Sequence, residues 1–246
     1  MENKLTWILI TANILVFLLV FSLQAAGQEE AFKWIFDIFS FSWATKFEVW
    51  RWLTSLFLHV SASHLFFNML GLYFFGKILE GEVKKQWFIA IYFVSGLLGN
   101  FVFMFSNLSP IVGASGAMFG VMGAAMLLNP IKKIHFYVFP LPLGLVAVMF
   151  VIVETLVVYF QADFGNIAHI AHVGGVITGG LFAFFYNPKR AVKGVFVLGI
   201  IVALLLFLGP VFALIAGIGG IILGVIDMIV GFFLYGAANI ISVIWM

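Results

Sequence analysis

The chain has 246 residues, of which 64% are hydrophobic and only 9% are charged. Soluble domains are about 45–50% apolar and about 25% charged, so this composition excludes a soluble globular protein. The formal net charge of +2 is too small to suggest a nucleic-acid partner, and the absence of cysteine excludes disulfides, thiol catalysis and thiolate metal sites. The sequence therefore predicts an all-α protein embedded in a lipid bilayer.

Apolar segments of membrane-spanning length occupy most of the chain. A helix that crosses a bilayer needs about 20 apolar residues. Proline is expected at helix boundaries because it lacks an N–H donor and clashes inside a helix. Pro110 and Pro130 flank the fourth apolar segment, and Pro188 follows the sixth. These criteria predict six helices, near residues 5–25, 62–80, 86–106, 114–128, 141–161 and 167–187.

We expect the six helices to form one membrane domain over residues 1–193. Residues 194–246 contain two further apolar stretches, near 195–217 and 220–245, that carry no lysine or arginine. They predict one or two additional C-terminal membrane segments, and Pro210 predicts a kink in the first of them. No stretch of the chain predicts a β-strand.

The first apolar segment, residues 5–23, follows a short head that contains Lys4. Its length favours a membrane span over the shorter apolar core of a signal peptide. The run Ala25-Ala26-Gly27 would suit a cleavage site, so a cleaved signal peptide is the alternative for this segment.

The basic residues orient the predicted helices. Cytoplasmic loops of membrane proteins carry an excess of lysine and arginine. A cytoplasmic N-terminus places nine of the twelve basic residues inside, whereas the opposite orientation reverses that ratio. The inner set is Lys4, Lys77, Lys84, Lys85, Lys132, Lys133, Lys189, Arg190 and Lys193, and the outer set is Lys33, Lys46 and Arg51.

The long outer loop, residues 26–58, is rich in aromatic side chains. Aromatic residues favour the membrane–water interface, so we expect this loop to lie partly in the outer leaflet. The aromatic residues are Phe32, Trp34, Phe36, Phe39, Phe41, Trp43, Phe47, Trp50 and Trp52.

Ser115 is the first functional candidate, because polar groups inside a membrane are costly. A lone helical serine usually bonds back to a carbonyl one turn earlier, but this one begins a stripe of small residues that continues with Gly116, Gly120 and Ala124. Small residues four apart let another helix approach closely. The sixth helix carries a matching stripe, Gly175 and Gly179, which starts one turn after His172.

Depth in the membrane supports a pairing of Ser115 with His172. Both helices run inward in the predicted topology, and Ser115 lies at the outer start of the fourth. His172 lies about 8 Å into the sixth helix at the usual rise per residue. His64 and Asn68, spaced i and i+4 on the second helix, reach a similar depth and share a face. Their side chains can donate hydrogen bonds to an oxyanion, or simply join helices.

Four motifs follow one another along residues 46–187. They are Glu48-Val49-Trp50-Arg51, the run HVSASHLFFN from His59 to Asn68, Gly113-Ala114-Ser115-Gly116 and Ala171-His172-Val173-Gly174-Gly175. Together they resemble the rhomboid family of intramembrane serine proteases. In chain order, they resemble its outer-loop Trp-Arg motif, its second-helix motif, its nucleophile motif and its sixth-helix histidine motif.

The resemblance implies a serine–histidine dyad without an acidic third member, with Ser115 as nucleophile and His172 as general base. His64 and Asn68 would line the oxyanion hole with the Ser115 backbone N–H. His169 could be mistaken for the base, but the family pattern places the base before Gly-Gly. The supporting positions that the resemblance implies are Gly113, Arg51, His169, Glu80 at the inner end of the second helix, and Phe119, where some members have a tyrosine that stacks on the histidine.

The expected function is therefore intramembrane proteolysis by a serine protease that uses no cofactor and no metal. The expected substrates are single-span or polytopic membrane proteins, cut near the outer ends of their helices and entering past the second and fifth helices. We expect a multi-pass protein of the plasma membrane, with a cytoplasmic N-terminus and a site open to the outer side.

Two other functions fit parts of the sequence. A rhomboid relative that binds membrane helices without cutting them would share the fold, although such proteins usually lack the serine or the histidine. A metal-binding membrane protein or transporter could use the histidines near one face, since imidazole is a common metal ligand. The candidate ligands are His59, His64, His169, His172 and, with them, Glu154. The expected serine protease assigns no role to Glu154 or to Asp227.

Overall fold

Ten α-helices and one β-hairpin make up the part of the chain that the computed structural model describes, residues 3–105, 109–136, 139–160 and 165–209. The chain divides after Gly199 into two compact units. The long apolar segments of this chain form helices because a helix satisfies its own backbone hydrogen bonds where water is absent.

The helices follow each other with short connections. The first five are α1 (Lys4–Ala25), α2 (Glu29–Phe39), α3 (Val49–Thr54, continued by a 3₁₀ turn over Ser55–Phe57), α4 (Ala62–Gly71) and α5 (Lys77–Glu82). A π-helical turn, Leu72–Gly76, joins α4 to α5, so that Ala62–Glu82 forms one continuous helix. The remaining elements are α6 (Lys85–Met104), α7 (Ser115–Leu128), β1 (Lys133–Phe136), β2 (Phe139–Pro142), α8 (Leu143–Phe160), α9 (Gly165–Tyr186) and α10 (Pro188–Gly209).

Length and hydropathy identify the helices able to cross a membrane. Among the described residues four qualify alone, and a fifth span arises if Val49–Phe57 and Ala62–Glu82, which meet at 90°, are counted together. α7 is apolar but shorter. The chain is therefore an all-α, multi-pass membrane protein, as predicted. The four helices that qualify alone are Lys4–Ala25, Lys85–Met104, His169–Tyr186 and Pro188–Gly209.

Two details differ from the prediction. β1 and β2 pair in an antiparallel hairpin, with Lys133 opposite Pro142, although no strand was expected. Because β2 takes up Phe139–Pro142, α8 begins at Leu143, two residues after the predicted start. The next difference is at Pro188, which begins α10 rather than only ending the preceding helix. Proline fits the first turn of a helix, where its missing N–H has no partner to lose.

The outer loop contains two short helices held together by Arg51. Its Nε atom donates to the carboxylate of Glu48 at 2.8 Å. Its Nη1 atom donates to the carbonyl oxygen of Ser40 at 3.1 Å and to that of Asp37. The two carbonyls belong to the C-terminal end of α2, whereas Arg51 lies on α3. Arg51 therefore fixes the angle between α2 and α3.

α7 is the most enclosed helix, with every residue buried except Met126. It packs on α9 backbone to backbone: a methyl group on Gly175 would overlap the carbonyl oxygen of Gly116, and one on Gly179 would overlap that of Gly120. Two stripes of small residues make this close approach possible, as expected from the sequence. The packing fixes the rotation of α9 relative to α7.

Glu80 closes the N-terminal end of α1. Its carboxylate accepts hydrogen bonds from the backbone N–H of Leu5 at 2.9 Å and of Thr6 at 2.8 Å, and from the Thr6 hydroxyl at 2.7 Å. The first N–H groups of a helix have no acceptor within the helix. A buried carboxylate from α5 therefore supplies the cap that the sequence of α1 lacks.

Candidate active site

A turn at Gly113 sets the point where α7 begins. Gly113 adopts a φ of +123°, a conformation that residues with a side chain rarely adopt. Its N–H donates to the carbonyl oxygen of Ser55 at 2.8 Å. After this turn Ala114 precedes the helix and Ser115 is its first residue. Ser115 thus lies at a helix N-terminus, where the dipole of the helix favours negative charge.

His172 of α9 faces the first turns of α7. Its ring stacks on Phe119, with 4.5 Å between the ring centroids and 13° between the ring planes. Phe119 lies one turn after Ser115 on α7. The residues next to the pair are also in contact, since a methyl group on Gly116 would lie 3.7 Å from the carbonyl oxygen of Ala171. Helix packing therefore brings the ends of α7 and α9 that carry Ser115 and His172 together.

α4 supplies two polar side chains on the other side of Gly113. The hydroxyl of Ser61 accepts a hydrogen bond from the N–H of His64 at 3.2 Å and so begins α4. A methyl group on Gly113 would lie 2.7 Å from the Nε2 atom of His64 and 3.8 Å from the Nδ2 atom of Asn68. The predicted oxyanion donors therefore lie against the turn that leads into Ser115.

His59 contacts the same turn, which the sequence did not indicate. Its Nε2 atom lies 3.5 Å from the backbone nitrogen of Ala114, which donates to it, and its Nδ1 atom lies 3.3 Å from the carbonyl oxygen of Phe57. Burial, with a smaller contribution from the neighbouring His64, lowers the pKa of His59 to about 3, although the bond to Phe57 opposes the shift. His59 is therefore neutral at physiological pH.

Asn100 of α6 holds Ser55, the residue that accepts the N–H of Gly113. Its Nδ2 atom donates to the hydroxyl of Ser55 at 3.0 Å and to the carbonyl oxygen of Trp52 at 3.3 Å. Ser55 in turn accepts the N–H of Gly113. An asparagine in the middle of an apolar helix could have indicated such contacts from the sequence, since polar groups in membranes are expected to have partners.

His169 lies one turn before His172 on α9. The two rings meet edge to face, with 6.4 Å between their centroids and 87° between their planes. His169 is half-buried, whereas His172 is buried. Phe119 stacks on His172, not on His169. His169 thus borders the site, and the structure sets His172 nearer to the start of α7.

The histidines were also candidates for a metal site. Within the described part of the chain, no group of three or more histidine, aspartate or glutamate residues is arranged to hold a metal ion. His59 and His64 form one close ring pair, at 4.9 Å, and His169 and His172 form another. The side chain of Glu154 and the whole of Asp227 lie outside the described residues.

The fold and the site together define a class of protein. It is a multi-pass helical membrane protein in which a short, enclosed helix begins with a serine beside an imidazole from a second helix and polar donors from a third. A sequence model of the Rhomboid domain matches residues 46–189, more than half of the chain. The chain therefore belongs to the rhomboid family.

The chain is also similar to individual rhomboid proteases of Salmonella. The chain is 29% identical over 185 residues to the rhomboid protease GlpG of Salmonella choleraesuis. It is 28% identical, over the same length, to GlpG of Salmonella newport and of Salmonella heidelberg. Each match covers 74% of this chain and 63% of the relative. The chain thus spans less than two thirds of the length of these relatives.

Proposed function

We propose that this rhomboid-family protein is an intramembrane serine protease that cuts the membrane helices of other proteins. The observation that carries the proposal is the stack of His172 on Phe119, which holds an imidazole beside the helix end formed by Ser115. A serine hydroxyl becomes a nucleophile when such a base lies within reach. Membership of the rhomboid family and similarity to proteins named as rhomboid proteases support the same conclusion.

In the proposed reaction, His172 takes the proton of the Ser115 hydroxyl while the oxygen attacks the carbonyl carbon of a peptide bond. The tetrahedral intermediate then collapses, the amine leaves with the proton from His172, and an acyl ester remains on Ser115. Water attacks the ester after giving a proton to His172, the acid product leaves, and the Ser115 hydroxyl recovers that proton. Phe119 fixes the plane of the imidazole during both proton transfers.

The negative charge of the intermediate needs hydrogen-bond donors. His64 and Asn68 lie against Gly113, one side of the turn that ends at Ser115, and can donate from their side chains. The backbone N–H of Ser115 is a further donor, aligned with the positive end of the α7 dipole. Removal of a single donor of this kind lowers kcat by about 10²–10³-fold in known proteases.

The substrates in this proposal are single-span or polytopic membrane proteins whose helices unwind near their outer ends. They enter from the bilayer between the second and fifth predicted spans, α4 and α8. α8 is held there by Phe150, whose ring meets Phe75 of the π-helical turn at 5.9 Å and Phe119 at 6.2 Å. A contact between rings can separate without breaking hydrogen bonds, which suits a gate.

The proposed setting is the plasma membrane, with the N-terminus in the cytoplasm and the site open to the outer side. The support is the distribution of basic residues. Glu82 forms ion pairs with Lys132 and with Arg190 at the end of the helices opposite Gly113. Basic residues cluster on the cytoplasmic side of membrane proteins.

The test compares Ser115→Ala and His172→Ala with the parent protein, purified and mixed with a single-span substrate in liposomes. Both variants are expected to lower cleavage by at least about 10⁴-fold, as for other serine nucleophiles and their bases. Ser22→Ala, at an exposed serine of α1, and His135→Ala, on the β-hairpin, are matched controls expected to cleave like the parent. Parent-like cleavage by either dyad variant would exclude the dyad. A parent that captures membrane helices without cutting them would instead be a non-catalytic relative.

A further inference from the structure

Both peptide N–H groups that precede Ser115 already have acceptors. The N–H of Gly113 donates to the carbonyl oxygen of Ser55 at 2.8 Å. The N–H of Ala114 donates to the Nε2 atom of His59, with 3.5 Å between the nitrogens. Both acceptors belong to the segment between α3 and α4, not to the helices that carry the proposed dyad. This segment therefore holds the peptide units that lead into the nucleophile.

The hydrogen bonds of His59 define its tautomer. A neutral imidazole has one N–H donor and one bare acceptor nitrogen. Because the Ala114 nitrogen is a donor, Nε2 of His59 must be the bare nitrogen, and the proton lies on Nδ1. Nδ1 is 3.3 Å from the carbonyl oxygen of Phe57, an acceptor that matches this tautomer. Both ring nitrogens are thus satisfied, as a buried imidazole requires.

Burial keeps the ring in this state. His59 is 3% exposed, and burial lowers its pKa to about 3. The ring of His64 meets it edge to face, with 4.9 Å between the centroids. A protonated His59 would carry a second donor at Nε2, which would point at the N–H of Ala114, so charge on this ring is incompatible with the observed turn.

We propose that His59 is a positioning residue, which fixes the peptide unit between Gly113 and Ala114 by accepting the Ala114 N–H and thereby orients the N–H of Ser115. The inference rests on the proposed protease function and deepens it. His59 is not proposed to contact the substrate or to exchange protons. Loss of its acceptor would free the turn, and displacements of about 1 Å near a reacting centre cost about 10²-fold in rate.

A purely structural histidine would act through Phe57 instead, and a matched pair of substitutions separates the two roles. The amide of asparagine reaches only to the position of Nδ1, so His59→Asn can keep the donor to Phe57 but loses the acceptor for Ala114. The amide of glutamine reaches to the position of Nε2, so His59→Gln can keep the acceptor for Ala114 but loses the donor to Phe57. The two side chains have the same functional group and differ by one methylene.

The experiment measures kcat and KM for a single-span substrate in liposomes, with thermal midpoints recorded in detergent. For His59→Gln we expect kcat within about threefold of the parent value. For His59→Asn we expect a kcat at least about tenfold lower than the parent value, with KM within about twofold, because the buried N–H of Ala114 loses its acceptor. A change in kcat without a change in KM is not expected from general unfolding.

The opposite order of the two variants, or equal kcat values for both, would overturn the proposal. A second measurement needs no variant to fold: histidine labelled with ¹⁵N in the parent should show one imidazole that stays neutral, with its proton on Nδ1, between pH 5 and pH 8. No such imidazole would also overturn it. If the parent neither cleaves substrate nor reacts at Ser115, the proposed function fails, whereas an active parent with indistinguishable variants refutes only the role of His59.

Discussion

Position 113 requires glycine for two reasons, its backbone conformation and the lack of space for a side chain. Its φ of +123° disfavours any residue with a Cβ atom, and the space where that atom would lie is taken by the ring of His64. The position of Ser115, two residues later, therefore depends on a glycine at position 113. In the same turn, His59 accepts the N–H of Ala114. The two residues that precede the candidate nucleophile, Gly113 and Ala114, are therefore fixed by groups outside α7.

Gly113→Ala is expected to reduce kcat/KM by more than tenfold. A left-handed conformation costs about 1–2 kcal/mol for a residue with a Cβ atom, and the added methyl group would lie 2.7 Å from His64. Gly27→Ala is the matched control, because Gly27 has a φ of +72° but no atom within 4 Å of its Cβ position. We expect this control to cleave like the parent in the liposome assay. Equal losses in both variants would attribute the effect to backbone strain alone.

The neutral His59 predicts a loss of stability in acid. Its pKa is lowered to about 3 in the folded protein, whereas an unfolded chain has the ordinary value of about 6.5. Below pH 6.5 the unfolded state therefore binds a proton that the folded state does not, and stability falls as the pH approaches 3. His59→Gln should flatten this fall in thermal denaturation between pH 7 and pH 4. An unchanged slope would mean that His59 is protonated in the folded protein.

At the scale of helices, α7 is held at both ends by other elements. Its C-terminal end meets α10, where a methyl group on Gly194 would overlap the carbonyl oxygen of Leu127. The Nε atom of Arg190 donates to the carbonyl oxygen of Leu128 at 3.1 Å, and its guanidinium pairs with Glu82. The last carbonyls of a helix have no donor within the helix, so α10 supplies one. The helix after the six-helix core thus closes the end of α7 opposite Ser115.

Arg190→Ala is expected to lower the thermal midpoint of the protein in detergent by several degrees. The substitution removes hydrogen bonds to Leu128 and Glu82, worth about 1–3 kcal/mol together. Lys189→Ala is the matched control, since Lys189 is its exposed neighbour on the same turn and is expected to change the midpoint little. An Arg190→Ala midpoint equal to that of Lys189→Ala would show that α10 does not stabilise α7.

The order and approximate bounds of the helices could be predicted because apolar length alone defines a span. Local chemistry at their ends could not. A proline marks a helix boundary in the sequence, but it does not show whether the boundary is the end of one helix or the start of the next. Only the structure shows that Pro188 begins α10. The hairpin of Lys133–Phe136 with Phe139–Pro142 depends on pairing between strands, which a search for apolar runs does not detect.

The candidate site was predictable where side chains share a depth and a motif, as for His64 and Ser115. It was not predictable where a side chain binds backbone. His59 accepts the main-chain N–H of Ala114, and Asn100 donates to the main-chain oxygen of Trp52, so neither contact depends on the identity of the residue it reaches. Such partners follow from the path of the chain, which spacing along the sequence does not define.

At the scale of the whole molecule, the proposed topology makes the two ends of the helices face different compartments. The turn at Gly113 and the outer loop occupy one end, and the ion pairs of Glu82 occupy the other. The chain contains no cysteine, so single cysteines can report on each end without background.

Ala44→Cys and Lys133→Cys test this topology, because both positions are exposed and lie in the outer loop and at the start of β1. In intact cells, a membrane-impermeant maleimide is expected to label the cysteine at position 44 only. After permeabilisation it should label both. Labelling of position 133 in intact cells, with position 44 protected, would reverse the proposed orientation.

The most direct test of the account is the site of covalent modification by a fluorophosphonate, a reagent that reacts with activated serines. The proposed dyad predicts one adduct, located on Ser115 by mass spectrometry of the parent protein, and its loss in His172→Ala, where the hydroxyl stays but the base is gone. An adduct on another residue, or undiminished labelling of Ser115 in His172→Ala, would contradict the assignment of Ser115 and His172 as nucleophile and base.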